Sequence, residues 1–262
     1  MKFQGTKTME QAAAPGELVL PGRTRTYEKI SEKYLALEEN NFILRAFELL
    51  AKTRPMRNPL VLDVGTGTAK IPIRFVHQLS PANLVALDIS HAMLKKARDN
   101  IRAKRLTRRI FLVCAAAERL PSRNGTFDLV CCHSTLSHFA GALHPLEEIV
   151  RVTKKGCRFL VRDLRRPAEK LLDWYVRIFG IGLDGYRKKL FRESLLSGLT
   201  NRELKKLSHE VKGALFRISG FFITHAGLES IRTKADLATR RDYETPGGKN
   251  GGVELTLSGR SA

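Results

Sequence analysis

The alternation of apolar and polar positions predicts strands and helices that follow one another from residue 59 to residue 164. Short apolar runs that open into turn residues predict strands, and apolar positions repeated every three or four residues predict helices. Five strands are predicted, in PLVLDVG, NLVALDIS, RIFLVCAAA, FDLVCCHS and CRFLVRDL. Helices are predicted in IPIRFVHQL, HAMLKKARDNIRAKR and LHPLEEIVRVTKKG, the last ending at Gly156. Such alternation with short connections favours an α/β fold with a doubly wound, parallel sheet.

The segments on either side of this alternation are predicted to be mainly helical. Residues 27–54 have helical periodicity, with a polar break at Glu38–Asn41 between two amphipathic pieces. Beyond Pro167 the helical pattern continues through residue 211, with glycine breaks at Gly182, Gly185 and Gly198. LESIRT and GVELTLSG are late strand candidates, whereas ALFRISGFFITHAGL fits either a buried strand or a packed helix.

The chain length limits the domain organisation. With 262 residues, the chain can bury one sizeable core or one domain with an insertion, but two full domains would be cramped. We predict a flexible leader over residues 1–26 and a single domain over residues 27–262, in which residues 168–212 form a helical insert. The N-terminus lacks the apolar core of a secretory signal, and no apolar run reaches the roughly 18 residues of a membrane-spanning helix.

Four cysteines, all inside or beside predicted strands, indicate buried reduced thiols. None shows the Cys-x-x-Cys or Cys/His spacing of a metal site, so we predict no metal. Buried reduced thiols are typical of a cytoplasmic protein, and we predict that location. The four residues are Cys114, Cys131, Cys132 and Cys157.

The charge balance is strongly basic, with 46 Lys and Arg against 26 Asp and Glu and a net charge of +20. The excess is concentrated in residues 95–109, 151–166 and 187–206. A basic surface attracts polyanions or acidic membranes, although it also occurs as a plain solvated surface. The charge therefore leaves two interpretations open, a functional basic face and a solvated one.

The strongest local signal is the strand, glycine loop and helix of VLDVGTGTAK and the residues that follow it. Gly65 and Gly67 let the backbone turn tightly and approach a ligand, and the free N–H groups of the following helix suit an anion. Asp88 ends the second strand, where an ionised acid can accept hydrogen bonds from a ribose diol. Alternatively, the glycines merely turn the chain, or the loop binds a nicotinamide or flavin nucleotide. Asp88 can also act as a helix cap, a role that Ser90 can take instead.

A longer series of motifs resembles the class I S-adenosylmethionine-dependent methyltransferases, and within them the group of ubiquinone/menaquinone-type C-methyltransferases. The series is VLDVGTGTAK, LVALDIS, AERLPSRNGTFDLVCCHSTLSHF and LEEIVRVTKKGCRFLVRDLRRP, preceded by YEKISEKY. The resemblance covers roughly residues 27–167, and FRESLLSGLTNREL resembles a subgroup of such enzymes. It implies a Rossmann-like, mostly parallel seven-stranded sheet with helices on both faces, N-terminal helices and a helical insert after strand five.

The resemblance also implies roles for individual residues around S-adenosylmethionine. Asp63, Gly65, Thr66 and Gly67 would hold the methionine end, and Asp88 would bind the ribose. The remaining implied cofactor contacts are Tyr27, Tyr34, Ile89, Met93, Ala117, Glu118, His133 and Ser134. One departure is Ala116, which stands where the family usually has an acid that accepts a hydrogen bond from the adenine amino group.

Catalysis and acceptor binding have their own candidate residues. His133 and His138 are the candidate bases, with His144 further away, although a lone histidine is often structural. Asp163, Arg165 and Arg166 end strand five, where open α/β sheets bind ligands, and an arginine there can hold an anionic substrate group. The two arginines can equally be exposed surface residues.

Three functions remain open at this point. We expect in-line methyl transfer from S-adenosylmethionine, which becomes S-adenosylhomocysteine, to a small-molecule or lipid-like acceptor, with residues 168–212 as a lid. The basic charge favours RNA methylation as an alternative, although no RNA-binding module is recognisable. The third possibility is a protein that binds the cofactor without transferring the methyl group.

Overall fold

Seven strands and seven α-helices alternate along the part of the chain that the computed structural model describes, which is residues 36–52, 58–78, 82–180, 183–221 and 224–233. The strands are β1 (Leu60–Val64), β2 (Asn83–Asp88), β3 (Ile110–Cys114), β4 (Phe127–His133), β5 (Thr153–Leu164), β6 (Ala214–Phe221) and β7 (His225–Thr233). The helices are α1 (Ala36–Ala51), α2 (Lys70–Gln78), α3 (His91–Ala103), α4 (Leu143–Val152), α5 (Leu172–Phe179), α6 (Gly185–Ser197) and α7 (Asn201–Glu210). Short 3-10 helices span Leu136–His138 and Glu169–Leu171.

The strands form one sheet in the order β3-β2-β1-β4-β5-β7-β6. Strands β1 to β5 are parallel, and β7 is antiparallel to both β5 and β6. The strand order reverses between β1 and β4, and this switch point is where doubly wound sheets bind ligands, beyond the carboxyl ends of the strands. The predicted Rossmann-like, mostly parallel seven-stranded sheet is confirmed.

The last two strands come from the run that the sequence left ambiguous. ALFRISGF is β6, and HAGLESIRT is β7, which inserts between β5 and β6. A Cβ atom on Gly227 would lie 1.9 Å from the Val161 carbonyl oxygen, so this position of β7 accommodates only glycine. The other late strand candidate, GVELTLSG, lies outside the described residues, as do the predicted leader at residues 1–26, Tyr27 and Tyr34.

Two predicted helix boundaries are wrong. Helix α1 continues without a break through Glu38–Asn41, because these polar side chains have partners within the protein. Glu38 and Asn41 pair with His133 and Arg162 of the sheet, whereas Glu39 and Asn40 pair with Arg74 of α2. Helix α4 ends at Val152 and not at Gly156. The residues TKKG begin β5 instead, since Thr153 is buried and pairs with Phe127 of β4.

The core is divided between the two faces of the sheet, and the insert adds a small core of its own. One cluster packs α1, α2 and α3 on one face, and the other packs α4 and α7 on the opposite face. Leu172, Tyr175, Leu183, Phe191 and Leu195 form a separate cluster between α5 and α6. Gly198 separates two helices as predicted, but Gly185 is the first residue of α6, because the Asp184 side chain caps that helix. No described helix combines the length and the apolar character needed to cross a membrane.

Cys131, Cys132 and Cys157 are buried as predicted, and all four cysteines are free. The prediction is wrong for Cys114, which is exposed because it ends β3 at the edge of the sheet. The Cys114 thiol lies 3.5 Å from the His91 ring at the start of α3.

Candidate functional site

A cavity opens at the carboxyl ends of β1, β2 and β4, at the switch point of the sheet. Its empty volume is about 930 Å³, part of which is continuous with solvent. The lining is mostly apolar, with a few polar side chains, and consists of Gly65, Gly67, Leu87, Asp88, Ile89, Ser90, Met93, Ala115, Ala117, Glu118, Ser134, Thr135, His138, Phe139 and Ala140.

The two glycines of the loop after β1 serve different structural purposes. Gly65 has φ +73°, and a Cβ atom there would lie 2.1 Å from the Thr135 side chain, so glycine permits the close approach of the loops after β1 and β4. Gly67 has φ +55°, and a Cβ atom there would meet no atom within 4 Å. The backbone of Gly67 therefore borders open space in the cavity, which leaves room for a ligand.

Asp88 connects the glycine loop to the start of α3. One carboxylate oxygen accepts a hydrogen bond from the Gly67 N–H at 2.8 Å, and the other accepts from the Ser90 N–H at 2.9 Å. Burial raises the pKa of Asp88, while these backbone N–H groups oppose the rise. A carboxylate has about four acceptor positions, so acceptor capacity remains for a ligand diol. Ser90 caps α3, as its hydroxyl accepts from the Met93 N–H at 3.3 Å.

The predicted adenine-binding residues line one side of the cavity. The Ile89 side chain is 53% exposed, which is unusual for isoleucine and leaves an apolar surface free for a planar ring. Met93, Ala117 and Glu118 also line this side. Ala116 is not among the lining residues, so Glu118 is the acid that lines the cavity there.

The segment after β4 forms the opposite wall. Ser134 adopts φ +51°, a conformation that is uncommon outside glycine, and its buried hydroxyl has no hydrogen-bond partner among the described residues. Strain and an unpaired buried hydroxyl at one position are typical of a functional site. His138 lies at the end of the adjoining 3-10 helix, where it is exposed and lines the cavity.

Asp63 and Thr66 are buried at the carboxyl end of β1 and are not among the residues that line the cavity. Burial raises the pKa of Asp63 to about 7. The Asp63 carboxyl group can therefore gain or lose a proton near neutral pH, and a cation bound nearby would favour its ionised form.

His133 belongs to a buried group of charged residues, which we call the ionisable cluster and which consists of Glu38, His133, Arg162, Asp163 and His225. The His133 imidazole pairs with the Glu38 carboxylate, and the guanidinium of Arg162 lies 3.3 Å from the other Glu38 oxygen. Burial raises the pKa of Glu38, but His133, His225 and Arg162 outweigh it and lower that pKa to about 2. Burial lowers the pKa of His133, but Glu38 outweighs burial and raises that pKa.

Other members of the ionisable cluster also bind groups within the protein. Arg162 donates to Asn41 at 2.8 Å, and Asp163 accepts from the Ser137 N–H at 2.8 Å. Burial lowers the pKa of His225 to about 4, so this histidine is neutral at pH 7. The sequence analysis missed Glu38, Arg162 and His225 as a cluster. The available signal was the polar Glu38–Asn41 stretch inside an apolar helical pattern.

The two arginines after β5 have different surroundings. Arg166 forms a two-pronged contact with Glu203, both at 2.9 Å, and also donates to the Gly198 carbonyl, so it fastens the insert to the sheet. Arg165 contacts the Tyr175 hydroxyl at 3.3 Å and is half-buried. Of the two, Arg165 has more donor capacity left for a ligand. Neither arginine lines the cavity.

The cavity fits S-adenosylmethionine in three respects. The backbone at Gly67 borders free space, Asp88 retains acceptor positions, and the Ser134 hydroxyl is buried without a partner. These features match a ligand with a diol and further polar atoms beside a planar ring. Among the described residues, no group of three or more His, Cys, Asp or Glu side chains is placed to hold a metal ion.

Comparisons with known proteins agree with this geometry. Residues 61–156 match the family model described as a methyltransferase domain. The chain is 30% identical over 142 residues to a demethylmenaquinone methyltransferase of Lactiplantibacillus plantarum, which covers 51% of this chain and 60% of that protein. It is 33% identical over 113 residues to a ubiquinone/menaquinone biosynthesis C-methyltransferase of Pseudomonas entomophila, covering 43% of this chain and 44% of that one. The chain therefore spans less than two thirds of the length of either relative.

Solved structures with low sequence identity share the fold. The plantazolicin methyltransferase BpumL, solved with a triazolic desmethylPZN analogue and S-adenosylhomocysteine (SAH), aligns with a TM-score of 0.68 at 13% identity, over 85% of this chain and 95% of that one. A methyltransferase from Aquifex aeolicus aligns with a TM-score of 0.57 at 15% identity, over 78% and 96% of the two chains. Residues 61–156 thus match a methyltransferase domain, and the chain shares its fold with solved S-adenosylmethionine-dependent methyltransferases, in agreement with the predicted class.

Proposed function

We propose that the protein transfers the methyl group of S-adenosylmethionine to a small-molecule or lipid-like acceptor by in-line displacement. The observation that carries this proposal is the cavity at the switch point, where Gly67, Asp88 and Ser134 line one space. The relatives with quinone-type names and the matched methyltransferase domain support the same activity.

Each part of the cofactor has proposed contacts in this chain. Asp88 binds the ribose hydroxyls, while Ile89, Met93, Ala117 and Glu118 surround the adenine. The backbone of Gly65 and Gly67, with Asp63 and Thr66 below it, holds the methionine end. When bound, the cofactor supplies a methyl group on a sulfonium, an electrophile that a well-aligned nucleophile attacks without further activation.

The chain has to align the acceptor, exclude water and accept a proton if the acceptor is protonated. Alignment alone can contribute on the order of 7–11 kcal/mol. His138 is the candidate base that lines the cavity, whereas the His133 imidazole is buried against Glu38. We propose His138 as the group that accepts the proton and His133 as a support for the wall that carries Ser134.

The helical insert is proposed as a lid over the acceptor. Its half-buried Phe179 suits an apolar acceptor, and the half-buried Arg165 is the candidate to meet an anionic group on it. Helix α6 lies next to the 3-10 helix that carries His138, so movement of the insert would reach the cavity wall. The cytoplasmic location predicted from the thiols remains a prediction.

The test is calorimetry with S-adenosylmethionine, followed by measurement of SAH release with a panel of acceptors. The panel comprises quinols with and without a polyprenyl tail, phenols, small amines and a short RNA. We expect cofactor binding and release with an apolar acceptor. If S-adenosylmethionine does not bind, both methyltransferase proposals are contradicted. If it binds but no acceptor class leads to SAH release, a non-catalytic cofactor-binding protein is favoured.

A second candidate function is RNA methylation, which one surface favours. The outer face of α3 exposes Lys95, Lys96, Arg98 and Arg102, and the neighbouring Phe111 on the edge strand β3 is 49% exposed. Cations beside an exposed aromatic ring suit a phosphate backbone with a stacked base. This candidate predicts RNA binding that weakens steeply with salt and SAH release with RNA. A lack of RNA binding at low salt would exclude it.

A further inference from the structure

Helix α5 of the insert has apolar side chains on two faces. Its inner face buries Leu172 and Tyr175 against α6, with Phe179 packed beside them. Its outer face exposes Trp174 and Ile178, which are 48% and 41% exposed, and Leu171, at the end of the 3-10 helix directly before α5, is 42% exposed. Residues three and four apart share one side of a helix, so these three side chains form a continuous line, which we call the α5 stripe. The Trp174 ring also contacts the rings of Tyr175 and Phe179, with centroids 5.5 and 6.3 Å apart, and 48% of this residue stays exposed.

Positive charge surrounds the α5 stripe. Lys170 of the preceding 3-10 helix and Arg177 of α5 are both exposed. Lys188 and Lys189 are exposed on the neighbouring α6. Two acids lie in the same segment: Glu169 is exposed next to Lys170, and Asp173 lies 3.3 Å from Arg192 of α6. An exposed apolar line flanked by Lys and Arg matches an interface with headgroups on its surface and acyl chains below.

We propose that the α5 stripe docks on an anionic lipid bilayer, with Trp174 and its two aliphatic neighbours in the acyl boundary and the flanking cations at the headgroups. The side-chain types favour this occupant, because tryptophan is enriched at membrane interfaces while leucine and isoleucine gain nothing from stacking on RNA bases. A second protein is a poorer fit, since stable protein interfaces engage about 20–30 residues on each side and the stripe has three.

The placement of the insert gives this docking a consequence for the active site. Helix α6 packs on α5 and also lies next to the 3-10 helix that carries His138 of the cavity wall. A bilayer held at α5 is thus connected through α6 to the cavity, and a lipid-like acceptor would be close to its source. The docking itself does not depend on methyl transfer, so it can be tested separately from the proposed function.

The test uses the intrinsic fluorescence of the whole chain, in which Trp174 is the single tryptophan. Vesicles of phosphatidylcholine with phosphatidylglycerol are titrated into the protein, with pure phosphatidylcholine vesicles as the uncharged control. We expect a blue shift of the Trp174 emission with the anionic vesicles and quenching by lipids brominated in the acyl chain. Binding to the uncharged vesicles should be at least about tenfold weaker than binding to the anionic ones. Unquenched emission from vesicle-bound protein would overturn the proposal, because Trp174 would then lie outside the bilayer.

A matched pair of variants isolates the stripe from the overall charge. The double variant Leu171→Ser/Ile178→Ser keeps Trp174 and should bind anionic vesicles about 10- to 100-fold more weakly. Leu215→Ser removes a leucine of similar exposure, 44%, from β6 and should bind like the original chain. Calorimetry with S-adenosylmethionine checks that both variants are folded. If the double variant binds the vesicles as tightly as the original chain, the α5 stripe is not the docking site. An emission shift that follows protein concentration or added RNA, and not added vesicles, would also overturn the proposal.

Discussion

Two groups of polar side chains lie near the same edge of the sheet, and they differ in whether their members pair with one another. In the ionisable cluster, Glu38, His133 and Arg162 are buried and bind one another. In the cavity, the Ser134 hydroxyl is unpaired and His138 is exposed. Buried charges need partners to be stable, so the cluster is committed to the fold, whereas the cavity groups are available to a ligand. The comparison assigns adjacent residues, His133 and Ser134, to different tasks.

The largest expected effect comes from exchanging His138 for glutamine. If His138 accepts a proton from the acceptor, His138→Gln should lower kcat about 10²–10⁴-fold in the SAH-release assay. His144→Gln, an exposed histidine paired with Glu147, is the matched control and should leave kcat unchanged. A raised KM for S-adenosylmethionine with unchanged kcat would instead make His138 a cofactor-binding residue and would contradict the assignment.

Stability tests the other half of the comparison. Glu38→Gln leaves His133 and Arg162 without their carboxylate, and breaking such a buried pair should cost about 3–5 kcal/mol of unfolding free energy in a urea titration at pH 7. Glu48→Gln is the control on the same helix, because the Glu48 side chain is 58% exposed in its pair with Arg45 and should cost less than about 1 kcal/mol.

The contribution of Glu38 to stability should depend on pH in a definite direction. The pKa of Glu38 is about 2 in the folded chain and 4.5 when unperturbed. Its stabilising contribution is therefore complete above pH 4.5 and is lost as the pH falls towards 2. The difference between the original chain and Glu38→Gln should shrink over that window. A difference that stays constant there would show that Glu38 acts through packing and not through its charge.

Cofactor affinity sharpens the description of the cavity. Asp88→Asn removes the charge that strengthens hydrogen bonds to a ribose diol, so we expect binding of S-adenosylmethionine to weaken about 10- to 100-fold in calorimetry. Asp99→Asn changes an exposed aspartate of α3 and should leave the affinity unchanged. Equal affinities of the two variants would remove Asp88 from the cofactor site.

The parallel sheet was predictable from the sequence because each strand is a short apolar run ended by a turn or a glycine loop. The glycine loop and Asp88 were predictable for a similar reason, since their roles depend on local backbone geometry. The ionisable cluster was not, because it joins Glu38 to residues 95 and 124 positions away. Local periodicity contains no information on such partners, and the polar stretch in α1 was therefore wrongly predicted as a break.

The exposure of Cys114 has a similar physical explanation. Strand β3 has the composition of a buried strand, and only the strand order places it at the edge of the sheet. The ambiguous run ALFRISGFFITHAGL likewise required the pairing with β5 to become two strands. In each case the missing information was tertiary, whereas the residue types themselves fit the observed structure.

The smallest predicted effect concerns Asp63, which is buried like the ionisable cluster but is proposed to serve the cofactor. Its pKa is raised from 3.8 to about 7, so the folded state holds a proton that the unfolded state has already lost, and Asp63 lowers stability as the pH rises through this range. A bound cationic methionine end would favour the ionised carboxylate, so cofactor affinity should rise about tenfold between about pH 6 and 8. Asp63→Asn should abolish this rise in calorimetric titrations at the same pH values. If the cofactor affinity of the original chain does not change with pH, Asp63 has a structural role like the ionisable cluster. The residues that line the cavity would then hold the ligand without it.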